Sequence, residues 1–229
     1  MNWLYTSLLL FTLVFPTVRP YESRIQFASK WKAIWPGLIV TAAFFIIWDV
    51  IFTQKGIWGF NHKYTLGLDL WGLPIEELLF FFIIPFACLF IYESANAFFP
   101  SLSKPKVSQV IGWLMVVLLI VVSILNKDRQ YTLWTSVFTL LFLIYILSKN
   151  PPWLTKFIVA YMLHLIPFFV INGVLTGSFI AEQVVWYNNE ENLGIRLVTI
   201  PIEDLIYSML LFLMNVTFYE HFKKYFNLV

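Results

Sequence analysis

The chain has 229 residues, 60% of them hydrophobic and only 12% charged, with a formal net charge of +2. A soluble domain carries about 25% charged residues, so an ordinary soluble fold is excluded, and so small a net charge gives no electrostatic footprint for a nucleic acid. The single cysteine, Cys88, lies in an apolar run and reads as a packed core residue, which excludes an intrachain disulfide and a cysteine metal cluster.

Seven apolar runs follow one another, at residues 2–18, 33–53, 74–99, 108–125, 130–148, 156–176 and 199–218. About 20 apolar residues form a helix as long as the bilayer core is thick. The first run, Asn2 to Val18, lacks a basic leading segment and a small-residue cleavage site, so it reads as a retained helix and not a signal peptide. It is short, and is expected to tilt little or to continue past Pro16. Pro85 and Pro167 fall inside runs, which membrane helices tolerate better than soluble ones. Five lysines and arginines lie in the segments on the N-terminal side and ten on the opposite side. The positive-inside rule then puts the N-terminus outside and the C-terminus in the cytoplasm, with a bacterial inner membrane as the expected location.

The chain repeats itself at an offset of 127 residues. Leu66-Gly67 matches Leu193-Gly194, Pro74-Ile75-Glu76-Glu77-Leu78 matches Pro201-Ile202-Glu203-Asp204-Leu205, and Tyr92-Glu93 matches Tyr219-Glu220. Nine of the 29 positions in 65–93 are identical in 192–220 without a gap. Phe60-Asn61 matches Tyr187-Asn188 at the same offset, and farther back, past a gap, Trp48-Asp49 faces Ile171-Asn172 weakly. The expected architecture is therefore an all-α polytopic membrane protein of about seven transmembrane helices, with two parallel three-helix repeats. The first unit covers 1–100, a linking helix 101–129 and the second unit 130–229. The odd crossing gives both units one orientation, so the acidic motifs share a membrane face and are placed to form one composite site.

Pro74 and Pro201 suit a helix start, where a missing amide hydrogen costs nothing. Glu76, Glu77, Glu203 and Asp204 then fall in the first turn or just beyond, where the helix dipole favours carboxylates. One such motif is explained by a wet helix end; two in register, each entering an apolar helix, point to function, because acids at membrane depth are costly. Four acids near one site cannot all stay ionised, and a protonated carboxyl beside an ionised one suits general acid–base work on an apolar molecule. Neighbours on a helix are about 100° apart, so each motif aims one acid at a cavity and the other elsewhere; the sequence does not say which.

Trp58, Phe60, Trp71, Phe80, Trp186, Tyr187 and Tyr207 lie near the motifs. Such rings stabilise a cation through their faces, although an interfacial aromatic belt explains any one of them. Asp49 is either a third acidic contributor or a wet helix-end residue. Asn61 and Asn188 either orient acids or form turns. His164 reads as a core histidine. Glu93 and Glu220 follow Glu76 and Glu203 by 17 residues, about 25 Å of helix, and belong at the opposite interface. No GxGxxG, P-loop or DDxxD-like cluster is present, so no dinucleotide, cofactor or metal is expected. The last run contains no lysine, which excludes a retinal Schiff base there.

With its twofold Pro-x-Glu-Glu-like motif, at Pro74-Ile75-Glu76-Glu77 and Pro201-Ile202-Glu203-Asp204, the chain resembles the small membrane-embedded lycopene cyclases of heterodimer-derived type. In that family two three-helix units occur as separate subunits or fused. The resemblance covers nearly the whole chain; the departure is Asp204 in place of a second glutamate, which keeps a carboxylate. It implies cyclisation of the linear end groups of lycopene to β-ionone rings, through γ-carotene to β-carotene, without net redox change and without a cofactor. It also implies lycopene and related linear carotenoids as partners, in a lipid bilayer. A proton- or ion-coupled transporter, a cyclase or modifying enzyme for another polyene, and a non-catalytic scaffold for carotenoid assembly are the alternatives. With only nine glycines and no matched midplane breaks, the chain lacks the broken helices of transporters. Self-association and association with other carotenoid enzymes stay open.

Overall fold

The computed structural model describes residues 3–228; Asn2, where the first predicted run begins, and Met1 and Val229, the outer limits of the two expected units, lie outside them. Among the described residues there are seven α-helices: α1 (Leu4–Val18), α2 (Trp31–Gln54), α3 (Ile75–Phe98), α4 (Pro105–Leu125), α5 (Gln130–Lys149), α6 (Leu154–Leu175) and α7 (Ile202–Tyr225). Six are long and apolar enough to cross a membrane. The exception, α1, has 15 residues and is about 22 Å long, short of a full crossing, and it does run on past Pro16. The chain is thus an all-α, polytopic membrane protein.

The centre of the bundle is the pair α3 and α7. Helix α3 packs against α1, α2 and α6, and α7 against α5, α2 and α6. Helix α4, which begins at Pro105 in the first helical position, leans on α5 and α6 from outside. Its outer face exposes Val110, Leu114, Val117, Val121 and Ile124, as a lipid-facing surface should.

Short strands position the helix starts. Strands β1 (Trp58–Phe60) and β4 (Val185–Tyr187) pair antiparallel, with Gly59 opposite Trp186. The pair is closed by Asn61 N–H to the Val184 carbonyl and Asn188 N–H to the Ile57 carbonyl, both 2.8 Å. These two bonds are equivalent under the repeat, so the pair sits on a pseudo-twofold axis and draws both loops to one end of the bundle. Each acidic helix is then preceded by a two-residue hairpin: β2 (Asp69–Leu70) with β3 (Leu73–Pro74), and β5 (Arg196–Leu197) with β6 (Ile200–Pro201). Trp71 and Gly72 both take positive φ (57° and 85°), the geometry of a tight hairpin turn. Pro74 and Pro201 therefore end a strand and occupy the N-cap position, one residue before the expected first turn.

At the other end, α3 and α7 are tied by buried ionic contacts. Glu93 accepts from Lys30 and, at 3.4 Å, from Lys223; Lys223 also meets Glu220 at 3.1 Å, and the Tyr92 hydroxyl donates to Glu220 at 2.8 Å. The second repeated pair, Tyr-Glu, thus closes the bundle opposite the acidic motifs.

Candidate active site

The two acidic motifs divide their carboxyl groups in the same way. Glu77 and Asp204 line a cavity of about 480 Å³ bounded by α1, α3, α6 and α7. Glu76 and Glu203 turn away from it and fasten the preceding loops. Glu76 Oε1 accepts from Leu66 N–H at 2.7 Å and from the Thr6 hydroxyl at 3.0 Å; Glu203 Oε1 accepts from Leu193 N–H at 2.7 Å and from the Thr132 hydroxyl at 2.6 Å. All four acids are buried.

Tyrosines one position before those threonines hold the inward acids. Tyr5 donates to Glu77, and Tyr131 donates to Asp204 at 2.5 Å. The Tyr-Thr pairs of α1 and α5 recur at an offset of 126 residues, one short of the motif repeat, so the ungapped comparison passes over them. Aligning with a single-residue gap would have found them.

The second unit supplies more donors than the first. Asp204 also accepts from the Asn172 amide at 2.7 Å and the Tyr187 hydroxyl at 3.0 Å. Burial pushes the Tyr187 phenol well above its ordinary range, so it remains an O–H donor. Tyr131 and Tyr187 stack with centroids 5.7 Å apart. Asp49 of α2 joins the same cavity; its carboxylate accepts from the Trp58 indole.

Among the ring residues singled out from the sequence, Trp58, Phe60, Phe80, Tyr187 and Tyr207 line the cavity. Trp71 is 63% exposed at its hairpin tip, and Trp186 belongs to a separate open depression among the loops, together with Asn61. Asn61 and Asn188 form turns: each accepts from the backbone N–H two residues on, Lys63 at 3.1 Å and Glu190 at 3.0 Å. His164 does line the cavity, at the level of Cys88 and Phe212, away from the acids.

The two sides of the pseudo-symmetric bundle are filled differently. Between α2, α5 and α7 the equivalent space is filled by Phe44, Phe45, Trp48 and Phe138, with Trp48 and Phe138 at 4.9 Å. Under the repeat, Phe138 corresponds to Thr12 and Trp48 to Ile171, both smaller and both on the cavity wall. Bulk in one half and its lack in the other leave, among the described residues, a cavity lined by acids from both units.

The family described as Lycopene cyclase matches residues 2–95 and again residues 128–222, together most of the chain. The chain belongs to the lycopene cyclase family. Neither the curated proteins nor the solved structures searched contain a match. As a member of that family the protein is a membrane-embedded enzyme of carotenoid cyclisation.

Proposed function

We propose that the protein is a lycopene β-cyclase that works by proton transfer between carboxyl groups, with units 1–100 and 130–229 contributing to one site and 101–129 linking them. The observation that carries this reading is the convergence of Glu77, Asp204 and Asp49 on one aromatic-lined apolar cavity. An acid on the first unit protonates the terminal double bond. The resulting tertiary cation is attacked by the C5–C6 double bond, and a base takes the C6 proton. Three donors converge on Asp204, an arrangement matched to an ionised carboxylate, which offers only acceptor sites; that makes it the base. The faces of Tyr187, Tyr207, Trp58 and Phe80 stabilise the passing cation.

The cavity follows α3 from Glu77 to Ile91, 14 residues or about 21 Å. An extended carotenoid is about as long as the hydrocarbon core is thick, about 30 Å. One end is therefore processed at a time, each in turn at the same acids. With more basic residues at the other end of the bundle, the acid-bearing loops and the N-terminus face outside.

Expression in a lycopene-accumulating cell should yield cyclic pigment without stoichiometric consumption of a reductant; product that forms only as a reduced cofactor is used up in equal amount would defeat the isomerase reading. Cyclisation in heavy water should place one deuterium at C2 of each new ring. Unlabelled product would exclude protonation by an exchangeable acid.

A further inference from the structure

The two units build one equivalent position differently. In the second, Asn172 lies three residues from the C-terminal end of α6 and donates its amide to Asp204. Its counterpart in the first unit, five residues from the end of α2, is Asp49. Asp49 is 1% exposed and lines the cavity. Its Oδ1 accepts from Trp58 and, at 3.4 Å, from Thr53, whereas its buried Oδ2 has no partner among the described residues. Among the described residues the cavity wall contains no lysine or arginine, so Asp49, Glu77 and Asp204 share one cavity without a counter-cation. Carboxyl groups crowded in this way do not all ionise.

Three features single out the member that stays neutral. Glu77 and Asp204 lie in first turns, where the helix dipole favours an anion, while Asp49, five residues before the C-terminal end of α2, has no such support. At the equivalent place the second unit has asparagine, a neutral donor of the same shape, and a protonated aspartic acid offers an O–H where asparagine offers an N–H. A proton on Oδ2 also converts a buried acceptor without a donor into a donor. The second oxygens of Glu76 and Glu203 likewise lack donors, but those residues stand outside the cavity.

We propose that Asp49 is the protonated carboxyl of this site, and that it shares its proton with Glu77, which delivers it to the substrate. The inference rests on the cyclase reading above. The proton leaves the Asp49–Glu77 pair as a C–H bond forms at the terminal alkene. Ring closure uses the electrons of the neighbouring double bond. The C–H electrons at C6 then form the ring double bond as that proton passes to Asp204. One proton enters and one leaves, with nothing oxidised or reduced. The first unit is thus the acid half and the second the base half, although their folds are equivalent.

The test is Asp49→Asn, which installs the second unit's own residue and keeps the side-chain shape. Infrared spectra of the purified full-length protein, without substrate, in H₂O and D₂O should show a protonated-carboxyl C=O band that shifts with the solvent. One component of it should vanish in Asp49→Asn, and the first cyclisation should slow by about 100-fold or more. Should that variant fail to fold, Asp49→Glu keeps an acid and should move the same component to a new frequency. An unchanged band in the variant studied, or an Asp49→Asn rate within about threefold of the parent, overturns the proposal, since a group that supplies the proton is worth far more than that. If the parent protein leaves lycopene untouched, the cyclase reading fails, and the infrared result still locates the proton.

Discussion

Replacing Glu77 with glutamine, or Asp204 with asparagine, is expected to leave lycopene largely unconverted, with both cyclisations lost together. Each change keeps the side-chain shape and removes one titratable carboxyl from the cavity that both residues line. Loss of a positioned acid or base slows a reaction by about 10²- to 10⁴-fold, or about 3–5 kcal/mol of barrier. If each unit instead served its own end of the substrate, each variant would leave one end competent and γ-carotene would accumulate. Pigment profiles at normal protein levels separate the two cases: abundant γ-carotene from both variants would sink the composite site and leave the cyclase assignment standing. Glu76→Gln and Glu203→Gln are expected to do less harm to the rate. An amide oxygen still accepts the Leu66 and Leu193 N–H bonds that these residues use to fasten their loops.

Glu93→Gln should be the most destabilising change outside the site. Glu93 is 3% exposed and receives both Lys30 of the segment before α2 and Lys223 of α7. Those lysine side chains are only 19% and 14% exposed, so losing the shared carboxylate leaves Lys223 with Glu220 and leaves Lys30, among the described residues, without an acidic partner. Breaking a buried pair by removing one partner costs about 3–5 kcal/mol, and the partial exposure of the lysines places this case at the lower end. Thermal unfolding in detergent measures the effect. A midpoint equal to that of the parent would show that the cluster is solvated and contributes nothing. The additional replacement Lys223→Met should recover part of the loss, because it removes one of the two charges that Glu93 balanced.

Much of this architecture can be read from the chain as letters. Seven apolar runs, Pro-Ile-Glu-Glu with its echo Pro-Ile-Glu-Asp, and Tyr-Glu one bilayer later determine the helices, the repeat and the shared face of the acids. Hydrophobic length and a repeated motif are local properties, and the bilayer leaves a helix few alternatives. The two hairpins before α3 and α7 were not legible, because each is six residues long, with strands of two residues, and sits within connecting sequence. Nor was the pairing of Trp58–Phe60 with Val185–Tyr187, which joins segments more than a hundred residues apart.

The sequence by itself determined that four acids would stand at two equivalent helix starts, one of each pair facing a cavity. Only the tertiary structure decided that Glu77 and Asp204 are the inward ones. Adjacent carboxyls on one helix are chemically alike; what separates them is which neighbour reaches them, and Tyr5 and Tyr131 do so from α1 and α5. Packing also decided that the two equivalent units share one cavity. Thr12 and Ile171 leave open the volume that Phe138 and Trp48 fill on the other side, and a difference of side-chain bulk becomes a cavity only where the helices bring those positions together.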